Sequence, residues 1–224
     1  MEYISIYMYE DIKSVELFEG IEGSDIELML DCVDAEIKKF RKGSILLLTG
    51  DKPRYVGALV SGELHITRED SEGNRSLIAV VAPGQVFAEA LCCADVSESP
   101  ITVTAGAGSS VLLLDFSRLL RTCPNSCAFH SRLIRNMLEL IANKNLFLQS
   151  RLEIISLKTI RAKVFRYLED FTVKQGNEIT IPLNREQMAD YLCVERSALS
   201  HELARMKKDG LIDYRKNRFI LFRK

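Results

Sequence analysis

Short apolar runs separated by turn residues dominate the chain from residue 40 to about residue 115. Their lengths and their β-branched content predict strands, and their regular spacing predicts a small barrel or roll. A short helix is predicted before the roll, at Ser24–Val33. The predicted strands are Ser44–Leu48, Tyr55–Val60, Leu64–Thr67, Leu77–Val81, Ile101–Ala105 and Ser110–Leu114.

A long helical tract is predicted after the roll, from about Pro124 to Ser156, because apolar residues recur there at helical spacing. The stripe is too extended for the roll alone to bury, so we expect it to pack against a second copy of itself. The alternative is a helix that lies on its own roll. The residues expected at the dimer interface are Ile134, Met137, Ile141 and Leu148. A second helix at Thr159–Lys174 and a strand at Glu178–Ile181 are predicted next.

The segment from Asn184 to Gly210 has the pattern of a helix-turn-helix. Asn184 is suited to cap a first helix, and Gln187, three residues later, completes a variant of the capping box. A break is predicted at Cys193. The helix after the break repeats apolar residues at helical spacing and is expected to bury Leu199, Leu203 and Met206.

The outward face of that second helix is polar and basic, as expected for side chains that face a major groove. Downstream, two short apolar runs surround the basic turn Arg215–Asn217, which predicts a wing. We therefore predict double-stranded DNA as a partner, and the alternative is a solvated amphipathic hairpin. The candidate DNA-contacting residues are Arg185, Arg196, Ser197, Ser200, His201, Arg205 and Lys216.

Composition and charge support this interpretation. The 224 residues are 47% hydrophobic without an apolar run of membrane length, so we expect a soluble protein with no membrane partner. Residues 151–224 carry 16 Lys and Arg against 10 Asp and Glu, whereas residues 1–150 carry 14 against 21. Phosphate contact needs local positive charge, and the basic part contains the predicted helix-turn-helix. The acidic N-terminus lacks a signal-peptide pattern, and the irregularly spaced cysteines predict free thiols, so we expect a cytoplasmic protein.

Five motifs along the chain are distinctive enough to be compared with known families. They are Gly43, Gly50-Asp51, Leu59–Gly62, Pro83–Glu89 and Arg185–Ile212. Together with the order of roll, long helix and winged helix-turn-helix, they resemble the cyclic-AMP receptor and fumarate-nitrate regulator (CRP/FNR) superfamily of bacterial transcription factors. The resemblance implies an α+β fold with a cyclic-nucleotide-binding-like β-roll domain at residues 1–123, a dimerisation helix at 124–156 and a winged helix-turn-helix domain at 157–224. It also implies a homodimer on an inverted-repeat operator, an effector or redox event in the roll, and RNA polymerase as a candidate further partner.

The chain departs from the nucleotide-binding relatives in the segment that holds the ligand. Those relatives carry a Gly-Glu pair and, further on, an Arg-Ser pair whose arginine holds the cyclic phosphate. Here Glu89 is kept, Ala88 stands for the glycine, and Ser99 and Pro100 stand for Arg-Ser. A cyclic phosphate would lose its strongest charge-assisted hydrogen bonds without that arginine. We therefore predict a small effector other than cyclic AMP, and the sequence identifies neither the effector nor any cofactor.

On the long helix, Leu146 and Phe147 resemble the positions of the pair that faces the adenine in those relatives. They complete the predicted effector pocket and would suit an apolar or aromatic effector. Plain interface packing is the alternative role for both residues.

Metal or redox sensing has little support in the sequence. An iron–sulfur cluster would need several cysteines before the roll, where only Cys32 lies. A thiol or metal switch at Cys92-Cys93 or at Cys123–Cys127 is the alternative to inert, buried thiols. The isolated His65 and His130 do not indicate a haem site, and we predict no metal ligands.

The recognition residues also depart from the resemblance. Many relatives read a G·C pair with a Glu and an Arg where this chain has Ser197 and His201, so we expect a different operator. Arg196 becomes the strongest candidate for a base contact. Cys193 holds a turn position where glycine is common.

Two other classes of protein fit the sequence less well than a transcription regulator. A cupin-like metal enzyme with an accessory helical domain would need two or three histidines and a carboxylate on adjacent strands, whereas His65 is the only histidine of the roll region. A protein-interaction module would not require the basic half of the chain. We therefore expect no enzyme.

Overall fold

Strands occupy the first part of the chain and helices most of the rest, and the chain divides into two units after Asn143. The computed structural model describes residues 11–119, 128–175 and 177–222. Cys123 and Cys127 therefore lie outside the described residues, as does the predicted start of the long helix at Pro124.

The first unit consists mainly of a β-roll with short helices around it. Its strands are β1 (Glu36–Phe40), β2 (Ile45–Leu47), β3 (Tyr55–Ser61), β4 (Leu64–Glu69), β5 (Arg75–Val81), β6 (Val86–Phe87), β7 (Thr102–Ala105) and β8 (Ser109–Asp115). Its short helices are α1 (Gly23–Cys32), α2 (Glu89–Cys93), α3 (Phe116–Leu119) and a 3₁₀ turn at Glu16–Phe18. The long helix α4 (Ala128–Ser156) contains residues of both units.

Two antiparallel four-stranded sheets form the roll, with strand orders β1-β8-β3-β6 and β2-β7-β4-β5. Strand β3 is buried on both faces. Its residues Val56, Ala58 and Val60 join a cluster with the helices, whereas Leu59 joins a second cluster to which both sheets contribute. Successive side chains of a strand point to opposite faces, so burial on both sides requires the continuous apolar run seen in the sequence.

The first half of α4 packs on the roll of its own unit. Leu133, Met137 and Leu140 are buried in the helix-side cluster, and Ile134 and Ile141 are half-buried against it. The alternative of a helix lying on its own roll is therefore correct for this half. Met137, expected at a dimer interface, is instead a core residue of its own chain because it lies on the face that covers the roll.

A buried amide ties the chain before α1 to the same helix. Asn136 is buried, and its Nδ2 donates to the carbonyl oxygens of Leu17 (2.9 Å) and Glu19 (2.8 Å). The two carbonyls flank the end of the 3₁₀ turn, where backbone acceptors lack intrahelical donors. Asn136 thus provides hydrogen-bond donors for two backbone carbonyls at the end of the 3₁₀ turn. Sequence periodicity does not predict this contact.

The second unit is a three-helix domain with a small sheet. It contains α5 (Ile160–Gln175), β9 (Glu178–Thr180), α6 (Arg185–Tyr191), α7 (Arg196–Lys208), β10 (Ile212–Arg215) and β11 (Arg218–Leu221). The sheet order is β10-β11-β9, with antiparallel pairing throughout. The core of this unit includes Val164, Leu168, Met188, Leu199, Leu203, Met206 and Phe219.

The predicted roll, long helix and winged helix-turn-helix are confirmed. The six predicted strands are present with ends shifted by one or two residues, and the predicted helices at Ser24–Val33 and Thr159–Lys174 are shifted by one residue. Two strands, β1 and β6, were missed by the sequence analysis. Among the described residues, none of the helices is both long enough and apolar enough to span a bilayer.

Candidate nucleic-acid interface

The helix-turn-helix begins at a capping box on α6. The side chain of Asn184 accepts from the backbone amide of Gln187 (3.0 Å), and the side chain of Gln187 accepts from the amide of Asn184 (2.9 Å). Each bond satisfies an amide that has no intrahelical partner at a helix start. This geometry confirms the cap predicted from the sequence and fixes where α6 starts.

The turn between α6 and α7 contains a residue in the left-handed region. Cys193 has φ 50° and is exposed. A β-carbon is strained at such an angle, which explains why glycine is common at this position in the family that the chain resembles. Lys163 of α5 donates from Nζ to the carbonyl of Leu192 (3.1 Å) and so binds the end of α6.

The recognition helix α7 starts at a carboxylate cap. Glu195 accepts from the backbone amides of Ser197 (3.2 Å) and Ala198 (3.1 Å), and the Ser197 hydroxyl donates to the same carboxylate. The hydrogen bond from the Ser197 hydroxyl, followed by those from the two amides, lowers the pKa of Glu195. Glu195 was not among the predicted site residues, although an acidic residue just before a helix start is a recognised signal.

Helix α7 buries one face and exposes the other. Leu199, Leu203 and Met206 are fully buried, as predicted. The opposite face is exposed and contains Arg196, Ser197, Ser200, His201 and Arg205. The structure thus brings five of the seven predicted DNA-contacting residues together on one helix face.

Some polar side chains of this face form hydrogen bonds or ion pairs within the chain, and others do not. Ser200 donates back to the carbonyl of Arg196 (3.0 Å), and Arg205 lies 3.8 Å from the carboxylate of Glu202. Within the described part of the chain, neither a hydrogen bond nor an ion pair engages the guanidinium of Arg196. Its donors are directed to solvent at the first residue of the recognition helix.

Arg185, the sixth predicted residue, lies against the wing. Its guanidinium carbon is 5.1 Å from the centre of the Tyr214 ring and 5.6 Å from that of Phe219, and it donates to the carbonyl of Lys216 (3.3 Å). Burial lowers the pKa of Arg185. Its side chain therefore links the start of α6 to both strands of the wing.

Lys216, the seventh predicted residue, lies at the tip of the wing between β10 and β11. It is exposed and has φ 57°, in the left-handed region. The neighbouring Asn217 donates from Nδ2 to the carbonyl of Ile181 (3.0 Å), which ties the tip to the chain after β9. Arg215 and Arg218, on either side of the tip, are also exposed.

Arg161 on α5 forms ion pairs with α7 and with the residue just after it. Arg161 Nε lies 2.6 Å from Glu202 Oε1, and its Nη2 lies 2.8 Å from the carboxylate of Asp209, just after α7. The hydrogen bond to Glu202, followed by that to Asp209, raises the pKa of Arg161. Sequence periodicity missed this contact because it joins residues far apart in the chain.

The roll residues of the predicted effector pocket lie in or beside the cluster to which both sheets contribute. Ala88, Glu89 and Ser99 are buried, whereas Pro100 is exposed. The Ser99 hydroxyl donates to the carbonyl of Ile101 (2.7 Å) and accepts from its amide (3.2 Å). The hydroxyl that stands where relatives have a phosphate-binding cation is therefore engaged with the local backbone.

Leu146 and Phe147, the other predicted pocket residues, belong to the second unit and are exposed on α4. Ala88, which replaces the family's glycine, has φ 61°. The joint role of the roll residues and the helix pair stays a prediction.

The cysteines near this region are poor candidates for a redox switch. Burial raises the pKa of the Cys92 thiol to about 12 and also raises the pKa of Cys93. A thiolate is the reactive form, and such thiols are neutral at physiological pH. The described residues contain no group of three or more His, Cys, Asp or Glu side chains arranged to hold a metal ion.

Comparisons with known proteins agree with this arrangement. Residues 37–125 match the family model of the cyclic nucleotide-binding domain, and residues 162–223 match that of the Crp-like helix-turn-helix domain. The two models together cover well over half of the chain in the order found here. The chain belongs to the CRP/FNR superfamily of transcription regulators.

Individual relatives are distant. The chain is 22% identical over 200 residues to the transcriptional activator protein FnrL of Cereibacter sphaeroides, covering 82% of this chain and 75% of the relative. It is 21% identical over 204 residues to the cyclic AMP receptor protein of Thermus thermophilus, covering 90% and 89%. The crystal structure of the Thermus thermophilus catabolite activator protein matches with a TM-score of 0.55 at 18% identity, covering 92% of this chain and 93% of that one. The structural likeness supports the fold.

Proposed function

We propose that this regulator binds an inverted-repeat DNA operator through α7 and the wing, and that it acts by binding rather than by catalysis. The observation that supports this most directly is the division of α7 into a fully buried apolar face and an exposed face with Arg196 at its start. A helix supported in this way is suited to insert its N-terminal residues into a major groove. Exposed Arg215, Lys216 and Arg218 supply positive charge for phosphates beside it.

The individual residues have different proposed roles. Arg196 contacts a base edge, since arginine donates two hydrogen bonds to guanine. Ser197, Ser200, His201 and Arg205 complete the recognition face, and Lys216 contacts phosphate. Arg185 positions the wing, because its guanidinium stacks on Tyr214 and donates to the wing backbone.

We also propose a homodimer, formed along α4. On the surface of α4 that the roll does not cover, Leu138, Leu148 and Leu152 remain 64%, 60% and 63% exposed. Such a row of leucines on one helix is costly in water and is typical of an interface. A dimer would present two recognition helices to successive major grooves about 34 Å apart.

The proposed signal is a small effector bound in the roll, and it is not a cyclic nucleotide. Support comes from Ser99, whose hydroxyl is engaged with Ile101 where nucleotide-binding relatives have a cation. A redox signal at Cys92-Cys93 is less well supported, because both thiol pKa values are raised. RNA polymerase and a cytoplasmic location belong to the same proposal as properties expected of a transcription regulator.

The proposal is tested by binding to DNA fragments from the neighbourhood of the protein's own gene. We expect tight binding to one fragment, with log K falling linearly with log salt at a slope near −0.9 per phosphate neutralised. A random fragment of equal length is the control and should bind more weakly. Footprinting should then protect two half-sites of an inverted repeat. Absence of salt-dependent binding to any fragment would reject the proposal.

A further inference from the structure

The recognition helix α7 is capped by a residue with a longer side chain than a cap needs. Glu195 occupies the N-cap in extended backbone (φ −70°, ψ 135°). Ser, Thr, Asp and Asn are the preferred caps, because a short side chain places its oxygen beside the free amides of the first turn. Asn184 caps α6 in this way. The carboxylate of Glu195 accepts from the amides of Ser197 (3.2 Å) and Ala198 (3.1 Å) and also from the Ser197 hydroxyl, a contact that capping does not require.

That additional contact uses the only hydrogen of the Ser197 hydroxyl. A serine hydroxyl donates one hydrogen bond and accepts through two lone pairs. With its hydrogen donated to Glu195, the exposed Ser197 side chain can offer another molecule only lone pairs. A hydrogen bond to a carboxylate is about twice as strong as one between neutral groups, so a neutral acceptor on a base would not displace it. The bond from Ser197 is also the largest cause that lowers the pKa of Glu195, which keeps the carboxylate ionised at neutral pH.

We propose that Glu195 holds the Ser197 hydroxyl as an acceptor, so that Ser197 reads the amino group of an adenine or a cytosine. This inference rests on the DNA binding proposed above. In the major groove, the donors on base edges are the N6 amino group of adenine and the N4 amino group of cytosine. Guanine and thymine present acceptors there. An acceptor that faces an acceptor leaves both without a hydrogen, so a keto oxygen opposite Ser197 would weaken binding.

The same contact argues against a phosphate role for Ser197. Serine hydroxyls contact phosphates by donating to their oxygens, and this hydroxyl already donates to Glu195. The ionised carboxylate beside it would also repel a phosphate. Arg196, the next residue along α7, has only donors to offer. Arg196 and Ser197 would therefore read opposite features of neighbouring bases, an acceptor and a donor.

The reading by Ser197 is tested with operator variants that carry each of the four base pairs at every position. The full chain and Ser197→Ala are compared on this set, and the base pair that Ser197 reads is the one at which their preferences differ. We expect the parent to prefer an amino group there by about threefold to tenfold, the contribution of one hydrogen bond. Ser197→Ala should lose that preference. A parent that prefers a keto base at this position would overturn the inference.

The role of Glu195 is tested by Glu195→Ser, which separates capping from the orientation of the hydroxyl. A serine at the N-cap still accepts from a helix amide, but it supplies no carboxylate for Ser197. The freed hydroxyl can donate as well as accept, so the variant should lose the preference at that base pair and keep the preferences elsewhere. Glu186→Ser, which removes the same charge from the first turn of α6, is the matched control and should keep all of them.

A second comparison shows whether Glu195 acts through the hydroxyl. In the Ser197→Ala background, Glu195→Ser should change the preference at no base pair. A change in affinity that is equal for all sequences would report only the lost charge or a weakened cap. If Glu195→Ser kept the parent's preference, or differed from the parent only by such an equal change, the inference would be wrong.

Binding by the parent chain separates this inference from the proposed function. A parent that bound no DNA fragment in a salt-dependent manner would reject both. A parent that bound an operator, with the same preference at every base pair as Ser197→Ala, would leave DNA binding in place and reject only the reading by Ser197.

Discussion

The ring of Phe87 lies directly on the backbone of Gly57, so closely that a β-carbon on Gly57 would come within 2.1 Å of Phe87 Cζ. The two residues are paired neighbours in β3 and β6. Phe87 is buried and belongs to the cluster that both sheets form. The absent side chain of Gly57 therefore provides the space that the aromatic ring fills in the roll.

We expect Gly57→Ala to destabilise the protein by about 1–3 kcal/mol, because the added methyl group forces a buried ring to move in a packed core. Denaturant unfolding measures the change. Gly108→Ala is the matched control, since a β-carbon at Gly108 meets nothing within 4 Å and its φ is not left-handed. Equal stability changes for the two variants would show that the close contact between Gly57 and Phe87 does not determine the stability of the roll.

The left-handed turn of the helix-turn-helix gives a prediction of opposite sign. Cys193→Gly removes a β-carbon strained at φ 50°, which offsets the greater entropy of glycine in the unfolded chain. We expect the variant to be as stable as the parent or more stable by up to about 1 kcal/mol. Cys193→Ala keeps the β-carbon and should gain nothing. A clear loss of stability in Cys193→Gly alone would mean that the thiol has a packing role.

Local features of this chain could be predicted from the sequence, whereas features that depend on distant residues could not. The capping box of Asn184 and Gln187 involves four consecutive residues, and the buried face of α7 follows from helical spacing, so both were predicted. Strand β1 was missed because its sequence, Glu-Ile-Lys-Lys-Phe, carries charges on an edge strand without regular alternation.

In the predicted site, too, local features were predicted and contacts between distant residues were not. The exposed face of α7 was predicted because exposure follows the helical period. Arg185 was predicted to contact DNA, but its stacking on Tyr214 depends on how the wing folds back, which the sequence does not show. Met137 belongs to the same apolar stripe as the interface residues, and only the packing of the roll assigns it to the core.

We expect substitutions at Arg196 and at Lys216 to reduce DNA-binding affinity in two different ways. Arg196→Ala should weaken operator binding by about 1–3 kcal/mol and relax preference at one base pair, because its guanidinium is the one proposed to contact a base. Lys216→Ala should weaken binding to operator and random DNA alike and reduce the salt slope by about one. Binding isotherms at several salt concentrations measure both effects. If Arg196→Ala lost as much binding affinity for random DNA as for the operator, Arg196 would contact phosphate instead of a base.

The Arg54–Asp115 pair predicts a specific acid sensitivity. Asp115 is buried, and burial by itself would raise its pKa. Hydrogen bonds from Ser117 and Arg54 outweigh that effect and lower the pKa below its ordinary value of 3.8. A carboxyl with a lowered folded-state pKa stabilises the fold above its unfolded-state pKa, and that contribution is lost as the pH falls through the folded-state value.

Asp115→Asn should therefore be less stable than the parent at neutral pH, and the difference should shrink as the pH falls below 3.8. Thermal unfolding between pH 7 and pH 2.5 measures this convergence. Asp95→Asn, at an exposed carboxylate, is the control and should show a much smaller difference. A constant gap between parent and Asp115→Asn over the whole range would mean that the carboxylate charge is not the stabilising feature.

The roll should not take cyclic AMP or cyclic GMP as effectors. A cyclic phosphate needs a cation in place, and here the corresponding Ser99 is buried with its hydroxyl bound to the backbone of Ile101. A suitable effector would instead carry a hydrogen-bond donor for the carboxylate of Glu89 and no phosphate. Titration calorimetry with either nucleotide should show no binding at micromolar concentration, and Glu89→Gln should behave like the parent. Micromolar binding by the parent that Glu89→Gln abolishes would show that the segment around Glu89 still holds a nucleotide, and that Ser99 and Pro100 do not prevent it.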